Sequence, residues 1–96
     1  MLEKQEPKYD VTGDGHLFNR RTGDIIPDDE PIMVFRAKDA KSIDAIAEYL
    51  KACTDPVHRI AITRRLDDFV QYQANNPALV HEPDTELWPL NDEEEV

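Results

Sequence analysis

Arginine residues supply the strongest recognition chemistry in this sequence. Arg20 and Arg21 are adjacent at a predicted hairpin tip, and Arg36 ends an apolar run of strand length. A guanidinium group presents a planar fork of N–H donors that matches a carboxylate or a phosphate. If the three side chains converge, they would bind an anion such as a nucleotide. The alternative is that they are solubilising loop charges.

The segment Asp10–Leu17 matches the first half of a calcium-binding loop. It places oxygen-bearing side chains at loop positions one, three and five and a glycine at position six. Position twelve, where such a loop needs a bidentate glutamate, is Arg21, and Pro7 leaves no room for a regular entering helix. We therefore predict a hairpin turn here and no metal site.

The remaining residues that could support catalysis stand apart from one another. His16, His58 and His81 show no metal-ligand spacing, and Asp55 near Cys53 disfavours the thiolate that a reactive cysteine needs. All three glycines lie between residues 13 and 23, so no glycine-rich phosphate loop follows a strand. We predict a protein that is not an enzyme and uses no metal or cofactor.

A second recognition candidate lies near the end of the sequence. Trp88 stands between two leucines in the segment Glu86–Leu90, surrounded by acidic residues. A large aromatic side chain in such a segment is typical of a short peptide that docks into a groove on a partner protein. The alternative is that the segment folds back on the core of its own chain.

The charge distribution disfavours an ordinary nucleic-acid-binding domain. The formal net charge is -10, and residues 76–96 carry seven acidic residues and no basic one. The chain therefore lacks the basic surface on which phosphate binding depends, and we expect no nucleic-acid partner. Mimicry of nucleic acid by the acidic surface is a third hypothesis, weakened because a flexible tail cannot reproduce a fixed phosphate spacing.

The elements that position these residues begin with short strands. Over residues 9–26, β-type runs alternate with turn residues, and Asp14-Gly15 and Gly23 predict two tight turns. Ile32–Phe35 is an apolar run of strand length, which we predict to be the most buried strand of the sheet.

Beyond Asp39 the apolar residues follow a helical period, and we expect Asp39 or Ser42 to cap this first helix. Asp55-Pro56 then favours the start of a second helix, which Asn75-Asn76-Pro77 ends. The first helix has its apolar stripe at Ile43, Ile46, Ala47, Leu50 and Cys53. The corresponding positions of the second helix are Val57, Ile60, Ala61, Ile62, Leu66, Phe69, Val70 and Gln73. We predict an α+β fold in which a short antiparallel meander of about three strands packs against a two-helix hairpin.

We expect a single domain over residues 1–77, followed by an acidic, flexible tail over residues 78–96. The tail has no helical or strand period and ends in four consecutive acidic residues before Val96. No apolar run is long enough to cross a bilayer, and the charged start of the sequence does not match a signal peptide. We expect a cytoplasmic protein.

Several short motifs occur between residues 8 and 85. They are Asn19-Arg20, Thr22-Gly23, Ile26-Pro27, Asp29-Glu30-Pro31, Phe35-Arg36-Ala37-Lys38-Asp39 and Glu82-Pro83-Asp84-Thr85. Together they resemble the motifs of a group of small phage and prophage accessory proteins. The resemblance implies a viral or prophage origin, without implying catalytic residues.

These observations favour two functional hypotheses over nucleic-acid mimicry. The first is a non-enzymatic protein-binding module, a phage accessory protein that modulates or inhibits a host protein, including one of a defence system. The second is a binder or sponge for an anionic nucleotide that uses Arg20, Arg21 and Arg36. The binding residues we predict are these three arginines and Trp88; the sequence does not specify the partner or the oligomeric state.

Overall fold

The computed structural model describes residues 2–83 and shows an α+β fold with a two-stranded antiparallel sheet and two long helices. The chain divides into two compact units, Met1–Met33 and Val34–Val96. The sheet belongs to the first unit and the long helices belong to the second.

The first unit is built around a short hairpin. Helix α1 spans Leu2–Gln5, and strands β1 and β2 span Tyr9–Val11 and Leu17–Asn19. The strands pair antiparallel, with Tyr9 opposite Asn19. The turn predicted at Asp14-Gly15 is present, since Gly15 has a φ of 92° that a side chain would disfavour.

A second turn follows β2 and is closed by side-chain hydrogen bonds. The Asn19 side-chain oxygen accepts from the backbone N–H groups of Arg21 and Thr22, at 2.9 and 3.2 Å. Gly23 adopts a φ of 79°, as the predicted tight turn requires. Beyond it, Ile25 forms a single β-bridge with Phe18, so the third predicted run contributes one bridge and no strand.

The prediction that Ile32–Phe35 is the most buried strand is wrong. The segment is irregular, and its side chains are 58, 70, 75 and 37% exposed in chain order. A strand forms only where its N–H and C=O groups find a ladder partner. No backbone hydrogen bond reaches residues 32–35 from elsewhere in residues 2–83, which explains why apolar composition alone did not produce a strand.

The second unit contains two consecutive α-helices and a short 3₁₀ helix. Helix α2 spans Ser42–Ala52, helix α3 spans Pro56–Asn75, and a 3₁₀ helix follows at Pro77–Leu79. The predicted cap of α3 is confirmed, because the Asp55 carboxylate accepts from the N–H groups of Val57 and His58.

The start of α2 differs from the prediction of a capping Asp39 or Ser42. Lys41 occupies the N-cap position and makes no side-chain cap hydrogen bond. Ser42 instead donates its hydroxyl hydrogen to the Asp39 carbonyl at 2.8 Å, and the Asp39 carboxylate accepts from Lys41 N–H at 2.8 Å. Both side chains therefore stabilise the turn that precedes the helix.

Side-chain to backbone hydrogen bonds connect α3 to the chain before it. Arg59 donates through Nη1 to the carbonyls of Leu50 and Cys53, at 2.7 and 2.8 Å. Near the other end of α3, the Gln73 amide donates to the carbonyls of Ala37 and Asp39, at 2.9 and 3.1 Å. These contacts place α3 beside α2 and beside the turn that precedes α2.

Backbone pairing continues past the end of α3. His81 N–H donates to the Lys38 carbonyl at 3.1 Å, and Ala40 N–H donates to the His81 carbonyl at 2.9 Å. Residues 77–81 therefore have regular backbone contacts, although the sequence shows no period after Pro77. The rest of the predicted tail, residues 84–96, lies outside the described residues.

Burial within residues 2–83 is shallow. No apolar side chain there is fully buried, and Ser42 is the one buried polar residue. Helix α2 keeps its apolar stripe half-buried, whereas twelve large apolar side chains among the described residues are exposed. In this part of the chain, no helix is both long and apolar enough to cross a membrane.

Candidate protein-binding surfaces

Arg20 is held by contacts within the first unit. Its Nε donates to the Tyr9 carbonyl at 3.0 Å, and its Nη1 lies 3.2 Å from an Asp10 carboxylate oxygen and 3.9 Å from one of Glu3. The side chain is 25% exposed. An anionic ligand at Arg20 would therefore compete with two carboxylates that the fold already supplies.

Arg21 and Arg36 have a different setting. Both are exposed, and neither forms an ion pair with another residue between 2 and 83. Arg21 belongs to the first unit, with Arg20, whereas Arg36 belongs to the second. The two neighbouring arginines therefore have different roles. Arg20 contacts the hairpin strands, whereas the Arg21 side chain is exposed at the turn. Trp88, the fourth predicted binding residue, lies outside the described residues.

The half-match to a calcium loop forms a hydrogen-bonded turn. The Thr12 hydroxyl donates to the Asp14 carboxylate, and His16 Nδ1 lies 3.2 Å from the same oxygen. The Thr12 hydrogen bond, followed by that of His16, lowers the pKa of Asp14 below its ordinary value. Asp10, at the first loop position, pairs with Arg20. The acidic side chains of the loop thus contact their own neighbours.

The histidine and cysteine residues considered as catalytic or metal-binding candidates lie apart from one another in the described structure. Within residues 2–83, no group of three or more histidine, cysteine or acidic side chains is arranged to hold a metal ion. His58 contacts the Tyr49 hydroxyl through Nε2 at 2.9 Å, and the Cys53 thiol donates to the Tyr49 carbonyl at 3.2 Å. The His58 contact therefore joins α2 to the start of α3, whereas the Cys53 contact stays within the last turn of α2.

The exposed run Ile32–Phe35 is the first candidate surface, which we call the apolar segment. Its four consecutive apolar side chains face solvent, and its main chain has no hydrogen-bond partner among residues 2–83. The sequence shows that this run has the composition of a strand. It could not show that the chain provides no strand to pair with it.

The second candidate surface is a shallow groove on one face of α3, which we call the α3 groove. It is lined by Pro56, Arg59, Ile60, Thr63 and Arg64, which recur on successive helical turns. Ile60 is 55% exposed, and the neighbouring Val57 is 75% exposed. The lining is therefore an apolar strip with arginines on its edges.

The sequence analysis did not separate this groove from the buried face of α3. It assigned Val57 and Ile60 to the same apolar stripe as Leu66 and Phe69. The structure instead half-buries Leu66 and Phe69 and leaves Val57 and Ile60 exposed. The signal was present in the helical spacing, since Pro56, Ile60 and Thr63 repeat at intervals of four and three residues on their own face.

Comparison with known proteins provides no functional assignment: no family model, no curated protein and no solved structure matches the chain.

Proposed function

We propose that the chain is a non-enzymatic protein-binding module that binds and modulates a host protein in the cytoplasm. The apolar segment Ile32–Phe35 carries this proposal, because it exposes four consecutive apolar side chains and an unpaired main chain within residues 2–83. The phage and prophage resemblance supports the choice of a host protein as the partner.

The chemistry of the apolar segment favours a partner with an exposed sheet edge. An added strand pairs its N–H and C=O groups with that edge and inserts alternate side chains into pockets. Fully covering an Ile, Val, Met or Phe side chain contributes about 1.5–3 kcal/mol. The two alternate side chains that face the partner would therefore contribute about 3–6 kcal/mol, which acts against the cost of ordering a short segment.

The same proposal accounts for the strand that the sequence predicts here. Residues 32–35 have the composition of a strand but no ladder partner in this chain, so a partner's edge strand would supply the missing hydrogen bonds. The three-stranded meander of the prediction is supported only by the single bridge between Phe18 and Ile25.

We also propose that α2 and α3 form an antiparallel hairpin. Contacts near both ends support this arrangement. Tyr49, near the end of α2, contacts His58, near the start of α3, at 2.9 Å. Gln73, near the end of α3, contacts the Asp39 carbonyl shortly before α2 at 3.1 Å.

Affinity purification from host cells tests the proposed function. Val34 and Val57 are the same residue type and are both 75% exposed, so they offer a matched pair. Val34→Glu places a charge in the apolar segment, whereas Val57→Glu places it elsewhere on the surface. We expect the unsubstituted chain and Val57→Glu to recover a stoichiometric partner and Val34→Glu to lose it.

Two results would contradict the proposal. The first is the absence of any stoichiometric partner with the unsubstituted chain. The second is equal recovery by the Val34 and Val57 variants, which would place the contact outside the apolar segment. Circular dichroism of each variant checks that its helices are intact before the purification is interpreted.

A further inference from the structure

The α3 groove combines an apolar floor with positive charge. Ile60 and Pro56 form part of the floor, and Arg59 and Arg64 stand among its lining residues. From Pro56 to Arg65, helix α3 contains three arginines and no acidic residue. The surface therefore suits a ligand that is both apolar and acidic.

The two arginines of the groove are in different states. Arg59 is fixed by its two hydrogen bonds to the carbonyls of Leu50 and Cys53. Arg64 is exposed and has no ion-pair or hydrogen-bond partner within the described part of the chain. A carboxylate placed beside Ile60 would thus meet an available guanidinium group at Arg64.

The chain itself contains a segment of the matching chemistry. Residues 84–96 carry six acidic residues and no basic one, and they include Leu87-Trp88-Pro89-Leu90. Four residues of extended chain span about 13 Å. The groove from Pro56 to Arg64 extends about 12 Å along the helix axis, so the lengths correspond.

The connection is long enough for this segment to reach the groove. His81 is paired to the backbone of Lys38 and Ala40, close to the Asp39 carbonyl that Gln73 binds near the end of α3. Trp88 is seven positions beyond His81, a span of up to about 25 Å. Helix α3 extends about 22 Å from Asn75 back to Ile60.

We propose that the segment Glu86–Leu90 binds the α3 groove of its own chain. Trp88 covers Ile60, and the acidic residues of the segment lie beside Arg64. This inference concerns a different surface from the apolar segment and does not depend on the proposed function. It predicts that the helix face with the exposed Ile60 is covered from within the molecule.

The fluorescence of Trp88 tests the proposal directly, because it is the only tryptophan of the chain. A free peptide of residues 84–96 gives the emission of a solvent-exposed tryptophan. We expect the emission of the full chain to lie at shorter wavelength and its quenching by acrylamide to be several-fold weaker. Both properties should be independent of protein concentration, and added salt should move them toward those of the peptide.

Substitutions then locate the contact. Ile60→Glu and Arg64→Glu should each shift the emission to that of the peptide. Ile25→Glu is the matched control, since Ile25 and Ile60 are both 55% exposed and Ile25 lies in the other unit. Circular dichroism confirms that the helices persist in each variant.

Three results would overturn the proposal. Emission of the unsubstituted chain identical to that of the peptide would show that Trp88 is not covered. A shift that both α3 variants retain would place Trp88 on another surface. A shift that appears only at high protein concentration would show that the segment binds a second copy of the chain instead.

Discussion

Both units have local side-chain to backbone hydrogen bonds, but within residues 2–83 those that join the most distant residues belong to the second unit. In the first unit, the Asn19 side chain closes its turn with partners two and three residues away, and Arg20 reaches Tyr9 across one hairpin. In the second unit, Gln73 reaches the carbonyls of Ala37 and Asp39, which are 36 and 34 residues away.

This difference determines where each unit is most sensitive to substitution. A local hydrogen bond closes a turn that glycine and asparagine already favour, so its loss removes one of several local contributions. The Ala37 carbonyl has no donor other than Gln73 within residues 2–83, whereas the Asp39 carbonyl also accepts from Ser42. With no fully buried apolar side chain among residues 2–83, we expect the long-range contact of Gln73 to contribute more than any single local contact.

Gln73→Leu gives the largest expected effect on stability. The substitution removes two part-buried hydrogen bonds and leaves the carbonyls of Ala37 and Asp39 without these donors. Net losses of about 1 kcal/mol per hydrogen bond, together with the cost of leaving the Ala37 carbonyl unsatisfied, predict a decrease of about 2–3 kcal/mol in the free energy of unfolding. Urea denaturation followed by circular dichroism measures it.

The control for this experiment is Gln71→Leu, two residues away on the same helix. Gln71 is exposed and makes no side-chain hydrogen bond with the described residues, so we expect a change within about 0.5 kcal/mol. Equal effects of the two substitutions would show that the Gln73 amide contributes nothing beyond the loss of a polar side chain, and the contrast between the units would fail.

Arg20→Met gives the next largest expected effect and tests the local contacts of the first unit. The substitution keeps much of the side-chain length but removes the donors to Tyr9 and Asp10. We expect a loss of about 1–2 kcal/mol in the free energy of unfolding, together with faster hydrogen exchange of the Arg20 amide, which donates to the Lys8 carbonyl.

Arg21→Met is the matched control, because the neighbouring side chain is exposed and unpaired within residues 2–83. A stability change close to zero is expected. If Arg20→Met were also neutral, Arg20 would be available to a ligand, and the hypothesis that the arginines bind an anionic nucleotide would gain support.

The range of these contacts also explains which parts of the fold the sequence could predict. The turns at Gly15 and Gly23 and the Asp55 cap were predicted, because each depends on residues only a few positions apart. The contact of Gln73 with Ala37 was not, since Gln73 was read only as a member of a helical stripe and no spacing rule relates residues so far apart.

The apolar segment and the α3 groove show the same limit for the candidate sites. The sequence showed that Ile32–Phe35 is apolar and strand-like, but its burial depends on whether another strand lies beside it. Similarly, helical spacing could divide α3 into two faces, but only the position of α2 decides which face is covered. The sequence also could not predict the contacts of Arg20, because pairing of β1 with β2 brings Tyr9 and Asp10 beside it.

Gly23→Ala gives a smaller expected loss of stability within the first unit. Gly23 has a φ of 79°, and a side chain in this region of backbone conformation costs about 1 kcal/mol. The matched control is Gly13→Ala, because Gly13 has no positive φ and a Cβ there meets no atom within 4 Å. Comparable losses in both variants would show that the turn tolerates a side chain at Gly23, and thermal unfolding would reveal it.

The smallest expected effect is the pH dependence of the turn at Asp14. The folded chain holds the pKa of Asp14 below its ordinary value, because the carboxylate accepts from Thr12 and contacts His16. Folding therefore favours the charged carboxylate. The contribution of this carboxylate to stability is complete above the ordinary pKa that Asp14 has in the unfolded chain. It is lost as the pH falls through the lower pKa of the folded chain.

Thr12→Val should raise the pKa of Asp14 in an NMR titration of its carboxyl carbon. Thr63→Val removes a hydroxyl from the other unit, where it donates to the Arg59 carbonyl, and should leave the Asp14 titration unchanged; an equal shift in both variants would exclude the Thr12 hydroxyl as the cause.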